Sequence, residues 1–178
     1  MRLRFDVVLA LSALVISTLA CVSSILQTRV IGQQLSAGVW PYLSFSTSST
    51  NHRNPREGQD SFAVLLANDG LGPAIVRSFG LTVDGRRMTN VDRLIEAVAG
   101  GPEATLPGET TSTSLDAGSV LRTGADVTLL EVRGKKLVVP FRQHVGRADI
   151  AICYCSILEN CWLVHFRGRT HEPSTCRT

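Results

Sequence analysis

The stretch IAICYCSILENCWLVHF, residues 150–166, places three cysteines and a tryptophan between two apolar runs. Runs rich in β-branched and aromatic residues on both sides of a polar turn predict a pair of antiparallel strands. We expect these strands at 149–157 and 161–166, around a turn at 158–160. The thiols leave three interpretations open, which are a disulfide staple, a metal site and a redox centre.

The four cysteines Cys153, Cys155, Cys161 and Cys176 favour disulfide bonds, because they are even in number and follow an apolar N-terminal segment. Their C-x-C-x5-C spacing lacks the C-x-x-C of thioredoxin-like motifs and zinc knuckles. Strand geometry places Cys155 opposite Cys161, with Cys153 two residues back on the same face. We therefore expect a Cys155–Cys161 bond and a Cys153–Cys176 bond, although four cysteines allow three pairings.

A metal site is the alternative interpretation of this stretch. His165 follows Cys161 by four residues and would complete a ligand set with Cys153 and Cys155. Oxidation competes with thiol ligation outside the cytoplasm, so we rank the metal below the disulfides. A redox role ranks lower still, because no predicted helix N-terminus lies beside the thiols to depress a pKa. A periplasmic enzyme or metal-binding protein using these four residues is the alternative function.

The N-terminal segment from Val7 to Leu26 contains no charged residue. About 20 apolar residues, rising 1.5 Å each, cross a hydrocarbon core of roughly 30 Å. Arg2 and Arg4 precede this segment, and only Arg29 follows within the next two dozen residues. The positive-inside bias therefore predicts a cytoplasmic N-terminus at 1–6, a retained transmembrane helix at 7–26, and the remainder of the chain outside.

Two kinds of processing remain as alternatives to a retained anchor. A cleaved signal peptide would use the weak V-S-S site at 22–24, but its apolar region is normally shorter than this one. Lipoprotein processing would act at Leu19-Ala20-Cys21, where Thr18 stands in place of the usual large aliphatic residue. Whether the segment is cleaved stays open at this point.

The chain after the span is expected to form a stalk at 27–37, one domain at 38–167 and a flexible polar tail at 168–178. Short apolar runs separated by turn residues predict many strands, and Asp84-Gly85 predicts a hairpin with a type I′ turn. The expected strands lie at 39–45, 61–67, 74–83, 86–88, 112–115, 119–122 and 126–132, with polar loops at 47–60 and 102–113. The 61–67 run, nearly continuous in apolar residues, suggests a strand buried on both faces.

Helical patterns are few. Val91, Leu94, Ile95 and Val98 form an apolar stripe, with Thr89 as the expected cap and Asp92 in the capping-box position. The stretch 137–145 is ambiguous, although Pro140 and Gly146 favour a short helix there. Together these patterns predict a mainly β protein. Its transmembrane helix precedes an antiparallel, immunoglobulin-like β-sandwich with one or two short helices.

The motif NDGLGPA, residues 68–74, contains the G-x-G of a phosphate loop but lacks the third glycine and any Gly-Lys-Ser. Pro73 also removes a backbone N–H group that would cradle an anion. We therefore interpret Asn68, Gly70, Gly72 and Pro73 as a structural turn whose glycines supply unusual φ values.

Nothing in the sequence nominates catalytic residues or a cofactor. G-x-S-x-G and H-E-x-x-H motifs are absent, and His52 and His171 lie in polar segments. The net charge is +3, and the basic residues are scattered without interleaved aromatics, so nucleic acid is not an expected partner. The expected function is therefore an interaction or structural module. Its partners are the lipid bilayer, through 7–26, and a protein of unknown identity.

Three motifs together resemble a group of uncharacterised bacterial single-pass membrane proteins. They are W-P-Y-L at 40–43, N-x-G-x-G-P-A at 68–74 and Y-C-S-x4-C-W at 154–162. In that group one N-terminal span precedes a small extracytoplasmic domain. The resemblance implies a bacterial inner-membrane protein with its C-terminal domain in the periplasm, and it implies no activity.

Overall fold

The computed structural model describes residues 2–51, 60–101, 110–168, 170, 171 and 176. The chain forms two compact units, Met1–Gly38 and Val39–Thr178. We call the second unit the C-terminal domain. His52 and most of the loops predicted at 47–60 and 102–113 lie outside the described residues.

The first unit is a single helix, α1, which runs from Arg2 to Gly38. Its apolar window has a mean hydropathy of 2.3, and no part of that window is buried. By length and composition α1 is able to cross a membrane, and a signal sequence near the N-terminus meets the same criteria. The predicted stalk, 27–37, continues this helix without a break.

Several hydroxyl side chains inside α1 are paired within the helix. Ser12, Thr18 and Ser24 donate hydrogen bonds of 2.8, 2.8 and 3.0 Å to carbonyl oxygens three or four residues earlier. An unpaired donor in hydrocarbon would cost several kcal/mol, so these bonds make the polar residues compatible with a lipid environment.

The C-terminal domain contains nine strands and two α-helices in its described residues. They are β1 Leu43–Thr50, β2 Ser61–Asn68, β3 Ala74–Val83, β4 Arg86–Arg87, α2 Val91–Ala99, β5 Thr110–Ser112, β6 Val120–Leu121, β7 Asp126–Arg133, α3 Lys135–His144, β8 Ala148–Cys155 and β9 Cys161–His165. A 3-10 turn, Val145–Arg147, connects α3 to β8. The predicted mainly β composition with two short helices is confirmed.

The strands form two antiparallel sheets, and neither sheet is closed. The first has the order β1-β2-β7-β5, and the second has the order β4-β3-β8-β9, with β6 also paired to β3. Both sheets contribute side chains to one apolar core, which α2 and α3 complete. Burial alternates along β2, with Phe62, Val64 and Leu66 inside and the intervening side chains partly exposed. The prediction that 61–67 is buried on both faces is therefore wrong.

The first strand differs from its predicted range of 39–45. It begins at Leu43, after Pro41, and continues to Thr50 through residues that we expected in a loop. Proline cannot donate to a ladder, which explains the late start. The polar residues of β1 are retained in the strand because they pair in register with the more buried β2, from Leu43 opposite Asn68 to Thr50 opposite Ser61.

The helix ends also differ from the sequence patterns. Asn90, not Thr89, caps α2, and its Oδ1 accepts from the Arg93 N–H at 2.9 Å. Asp92 instead accepts from the Ser112 hydroxyl at 2.9 Å, so the expected capping box does not form. The 137–145 stretch is helical as α3, but Pro140 lies inside the helix and not at its first position.

The described part of the tail is held against β9. Leu163 and His171 exchange backbone hydrogen bonds of 2.8 and 3.1 Å, and Cys176 is within bonding distance of Cys153. Two positions of the predicted flexible tail therefore contact the hairpin, and one of them does so through the Cys153–Cys176 pair expected from the sequence. The polar composition of 168–178 did not indicate the other contact, the bridge at His171.

Candidate functional site

The hairpin of β8 and β9 contains the cysteines. Cys155 lies directly opposite Cys161, and their sulfur atoms are 2.05 Å apart. Their Cα atoms are 4.0 Å apart, closer than the roughly 4.5 Å of a regular non-hydrogen-bonded pair. The two strands therefore draw together at this point. The turn is closed by Ser156, whose N–H donates to the Asn160 carbonyl at 2.8 Å.

A second cysteine pair lies beside the first. The sulfur atoms of Cys153 and Cys176 are 2.03 Å apart, across a separation of 23 residues. The sulfur atoms of Cys155, Cys161 and Cys176 all lie within 4.8 Å of one another. Both pairs named from the sequence are thus at disulfide distance, and no sulfur in this group is left as a thiolate for metal binding.

His165 does not join the sulfur cluster. Its Nδ1 is 2.7 Å from an Asp149 carboxylate oxygen, and its ring stacks in parallel on His171 with centroids 6.0 Å apart. The ligand set of Cys153, Cys155, Cys161 and His165 is therefore not assembled. His165 is close to Cys161 in the sequence but not in space, because the two residues stand at opposite ends of the extended strand β9.

The Asp149–His165 pair is half of a general-base arrangement, since a carboxylate orients an imidazole. In the described part of the chain no hydroxyl or thiol is hydrogen-bonded to His165. Ser44 donates instead to Asp69, and His144 contacts the Pro140 carbonyl at 3.0 Å. Cys21 in α1 is the one free cysteine among the described residues. These residues thus show no nucleophile–base pair of the kind covalent catalysis requires.

The Asn68 turn is occupied by its own hydrogen bonds. The buried Asn68 amide donates to the Gly72 and Leu121 carbonyls at 2.9 and 3.0 Å. Its oxygen accepts from the Tyr42 and Gly70 N–H groups at 3.2 and 3.1 Å. One side chain therefore connects the start of β1, the turn before β3 and strand β6. It leaves no polar atom free for a ligand.

Gly70 and Gly72 are required for a different reason than we expected. Neither adopts the left-handed φ region, so the prediction of unusual φ values is wrong. A Cβ on Gly70 would lie 2.3 Å from the Tyr42 nitrogen, and one on Gly72 would lie 2.1 Å from the Val39 oxygen. The glycines allow close approach of two backbones that are distant in sequence, a role that spacing alone does not reveal.

Tyr154 joins the two sheets close to this turn. It is fully buried, and its hydroxyl accepts from the Leu43 N–H at 3.2 Å. Burial raises the pKa of Tyr154 above its ordinary value. Its ring lies 5.9 Å from that of Trp162, which packs on the core from the face of β9 opposite to Cys161.

The outer edge of β3 is interrupted, and the sequence analysis missed this feature. β8 occupies one edge of β3 from Ile75 to Val83. β6 pairs with 74–75 and β4 with 82–83, and both must lie on the other edge because a strand has only two. Residues 77–80 therefore have no described strand beside them on that edge. We call this segment the edge gap.

Backbone groups point into the edge gap. Leu81 accepts from the Met88 N–H at 2.8 Å, and Val76 donates to the Ser119 carbonyl at 2.8 Å. These bonds close the two ends. Alternation along the strand from Leu81 turns the N–H and C=O of Phe79 toward the same edge, where no described residue bonds to them. The backbone N–H and C=O of one β3 residue, Phe79, are thus available for pairing.

The edge gap opens into a cavity of about 540 Å³. Its walls come from three segments, which are 77–81, 87–91 and 114–117. Ser78 is one of the lining residues, and its hydroxyl is buried with no hydrogen-bond partner among the described residues. A buried hydroxyl without a partner costs free energy, and a bound polar group would recover it.

The charges around the cavity are mainly basic. Arg77, the extra residue of a β-bulge between Val76 and Ser78, and Arg87 are exposed, and neither forms an ion pair with a described residue. Asp116 is the one acidic residue of the described lining. Two unpaired arginines against one aspartate favour an anionic group in the cavity.

The turn between β3 and β4 is held by a bidentate ion pair. Asp84 and Gly85 have φ values of +50° and +77°, which fits the predicted type I′ turn. Arg147 Nε contacts the two Asp84 carboxylate oxygens at 3.1 and 3.0 Å, and a guanidinium nitrogen makes a further contact. The Arg147 hydrogen bond holds the pKa of Asp84 below its ordinary value.

Comparisons with protein-family models, with curated proteins and with solved structures gave no match to this chain. The fold and the geometry of the described residues therefore carry the functional argument by themselves.

Proposed function

We propose that this protein is a single-pass, membrane-anchored interaction module whose C-terminal domain binds an extended, acidic segment of a partner protein. The edge gap of β3 carries the proposal, because it combines the free backbone N–H and C=O of Phe79 with a cavity lined by two unpaired arginines and by Ser78, whose hydroxyl has no described partner. The anchoring part of the proposal is supported by α1, which is apolar and entirely unburied over the length that a bilayer requires.

The domain class that supports this function is the immunoglobulin-like sandwich. The orders β1-β2-β7-β5 and β4-β3-β8-β9 correspond to A-B-E-D and C′-C-F-G of such domains. The departures are α2 between β4 and β5, the additional strand β6 between β5 and β7, and α3 between β7 and β8. Domains of this architecture present edges and loops to partners while a rigid core holds them in place.

The proposed location is the bacterial inner membrane, with the N-terminus in the cytoplasm and the C-terminal domain in the periplasm. Two arginines before the apolar segment favour this orientation. Two cysteine pairs at disulfide distance favour an oxidising compartment for the domain. The resemblance to bacterial single-pass proteins agrees with this placement and stays a prediction.

The orientation gives a first testable prediction. Alkaline phosphatase fused after residue 178 will be active, because it folds only after export, whereas a fluorescent protein that matures only in the cytoplasm will stay dark. The fusion will remain in the membrane fraction, and its mass will include the apolar segment. The variant Arg2→Glu/Arg4→Glu is the control, since it weakens the bias that sets orientation. A soluble, shortened product or the reverse reporter pattern would contradict the proposal.

Strand addition explains how the edge gap selects its ligand. A bare strand edge pairs with any extended chain, and proteins limit such pairing with bulges, charges and short covering strands. β3 has all three features. Arg77 supplies the bulge and a charge, and β4 and β6 are short strands that cover the two ends. The open length of four residues is about 13 Å. It therefore accepts a short extended segment and excludes a long strand.

Acidic character follows from the arginines, and it leads to a second prediction. The pentapeptide Ac-VEVEV-NH2 will bind the full-length protein in detergent, and Ac-VKVKV-NH2 will bind at least about tenfold more weakly because its charges oppose Arg77 and Arg87. The substitution Arg87→Glu will reverse this preference. Arg142→Glu, on the exposed side of α3, is the matched control and will leave it unchanged. Isothermal calorimetry measures both affinities.

The Ser78 hydroxyl allows a sharper version of this test. Ser78→Ala removes no described hydrogen bond from the free protein, so the melting temperature will not fall, whereas the acidic peptide will lose affinity. Hydrogen exchange will show protection of the Phe79 amide on binding. Equal affinity for both peptides, or binding without protection of Phe79, would contradict strand addition at the edge gap.

A further inference from the structure

The exposed apolar side chains of the C-terminal domain are few and are not scattered. Among its described residues, the large hydrophobic side chains that are exposed are Trp40, Tyr42, Leu71, Val120, Ile157 and Leu158. Leu71 is 70% exposed and Val120 is 61% exposed, which are high values for apolar residues of a folded domain. Single exposed apolar residues need no explanation, but a group that shares one location does.

All six residues lie at one end of the domain, as strand register shows. Leu43 at the start of β1 is opposite Asn68 at the end of β2. Ile75 at the start of β3 is paired with Val120 on one side and with Cys155 on the other. The segments before β1, between β2 and β3, and between β8 and β9 therefore meet β6 at the same end. We call the six side chains together the apolar end.

Direct contacts support this placement. The Leu71 N–H donates to the Trp40 carbonyl at 2.8 Å, and the rings of Trp40 and Tyr42 are 5.7 Å apart. The hydrogen bonds of Asn68 connect the same turn to Leu121, next to Val120. At the opposite end, the described turn residues such as Asp84 and Arg86 are charged and exposed. The domain is thus apolar at one end and polar at the other.

The apolar end is also where the chain enters the domain. α1 ends at Gly38, and Trp40 follows within two residues. Tryptophan and tyrosine concentrate at the boundary between lipid and water, where one part of the ring is apolar and another is polar. A short tether keeps the domain at a high effective concentration near whatever surrounds α1.

We propose that the apolar end inserts its exposed side chains into the interfacial layer of the bilayer that α1 crosses. This contact goes beyond the proposed function, because it involves a different end of the domain and a different partner. Insertion is driven by removal of apolar surface from water. It does not depend on anionic lipids, since the exposed charges of the described residues at this end are Asp69, Asp126 and Glu159 against Arg122.

Tryptophan quenching in lipid tests the proposal on the full chain. The background is Trp40→Phe/Trp162→Phe, which removes both natural tryptophans. Leu71→Trp adds a reporter on a turn that is far in sequence from the tether, and Arg86→Trp adds a matched reporter at the opposite end. In phosphatidylcholine nanodiscs, brominated acyl chains will quench the Leu71→Trp reporter by roughly twofold, the effect of burial at the headgroup–acyl boundary. The Arg86→Trp reporter will not be quenched.

Each other result of this experiment contradicts the proposal. Quenching at neither site means that the apolar end stays in water, and equal quenching at both sites means that the domain has no preferred end. Quenching that grows with anionic lipid means that charge, and not apolar area, drives the contact. Loss of Leu71→Trp exposure only when two copies share a nanodisc means that a second copy covers the apolar end.

A second measurement is made on protein that keeps both natural tryptophans, so that the result does not depend on the background variant. Hydrogen exchange of segments 68–73 and 156–160 will be slower in phosphatidylcholine nanodiscs than in the same protein carrying Leu71→Asp/Ile157→Asp. These two side chains are exposed in the structure, so the substitutions cost the fold little. Equal exchange in both proteins would contradict insertion.

Discussion

Replacing Gly72 by alanine will lower the melting temperature of the C-terminal domain by roughly 9 °C, equivalent to about 3 kcal/mol at 2–4 °C per kcal/mol. The new Cβ would lie 2.1 Å from the Val39 carbonyl oxygen and 2.5 Å from its carbon. Both are backbone atoms, which cannot rotate away. The backbone before β1 must therefore move, and this movement disturbs the hydrogen bonds that Leu71 and Gly72 donate to Trp40.

Gly124→Ala is the matched control for this experiment. Gly124 has a φ of +70°, and no heavy atom lies within 4 Å of its would-be Cβ, so alanine there causes backbone strain without a clash. That strain costs about 1 kcal/mol, which lowers the melting temperature by roughly 3 °C. Near-UV circular dichroism of the full chain in detergent follows the tryptophans of the C-terminal domain and is insensitive to α1. If both variants melt together, the close approach at Gly72 does not matter for stability.

Removal of the two cysteine pairs will destabilise the domain to different extents. Cross-linking restricts the unfolded chain more when the closed loop is longer. The separations are 23 residues for Cys153–Cys176 and 6 for Cys155–Cys161. We therefore expect losses of about 3.5 and 2.4 kcal/mol for the double alanine variants of the two pairs. The ranking follows from loop length, since Cys153 and Cys155 are both almost completely buried.

Denaturant unfolding of the two double variants beside the wild-type protein measures these losses. Alanine is the correct replacement, because serine would bury a hydroxyl at positions 153 and 155. Non-reducing peptide mapping of the wild-type protein must first show the two pairs. Four free thiols, or a Cys153–Cys155 pair, would show that the hairpin is held together differently. A larger loss for the shorter loop would contradict the entropic explanation.

The hairpin was predictable from sequence because all the relevant geometry is local. Alternation along β8 places Cys153 and Cys155 on one face, and the length of the turn places Cys161 opposite Cys155. The same reasoning gave the Asp84–Gly85 turn, since positive φ at two adjacent positions leaves few suitable residue pairs. Local rules were sufficient wherever a contact joins residues only a few positions apart.

The candidate site was not predictable from the sequence, because it is the part of a strand edge beside which no described strand lies. The edge gap exists because β4 and β6 are each two residues long and cover only the ends of β3. No pattern in residues 77–80 indicates which strand lies beside them. The glycines of the 68–74 turn were interpreted as structural, but the backbone that leaves no room for a side chain there lies about thirty residues away, at Val39 for Gly72. A contact of that range requires the fold before it can be recognised.

The nested cysteine pairs also constrain how the chain matures. When the residues that follow α1 are delivered in sequence order to an oxidising compartment, Cys153 and Cys155 arrive together, and Cys161 follows before Cys176. The inner bond can close as soon as residue 161 emerges, whereas Cys153 must remain reduced until residue 176 arrives. Oxidation strictly in order of appearance would join the wrong partners. Correct maturation therefore depends either on hairpin formation ahead of oxidation or on a thiol isomerase that reopens early errors.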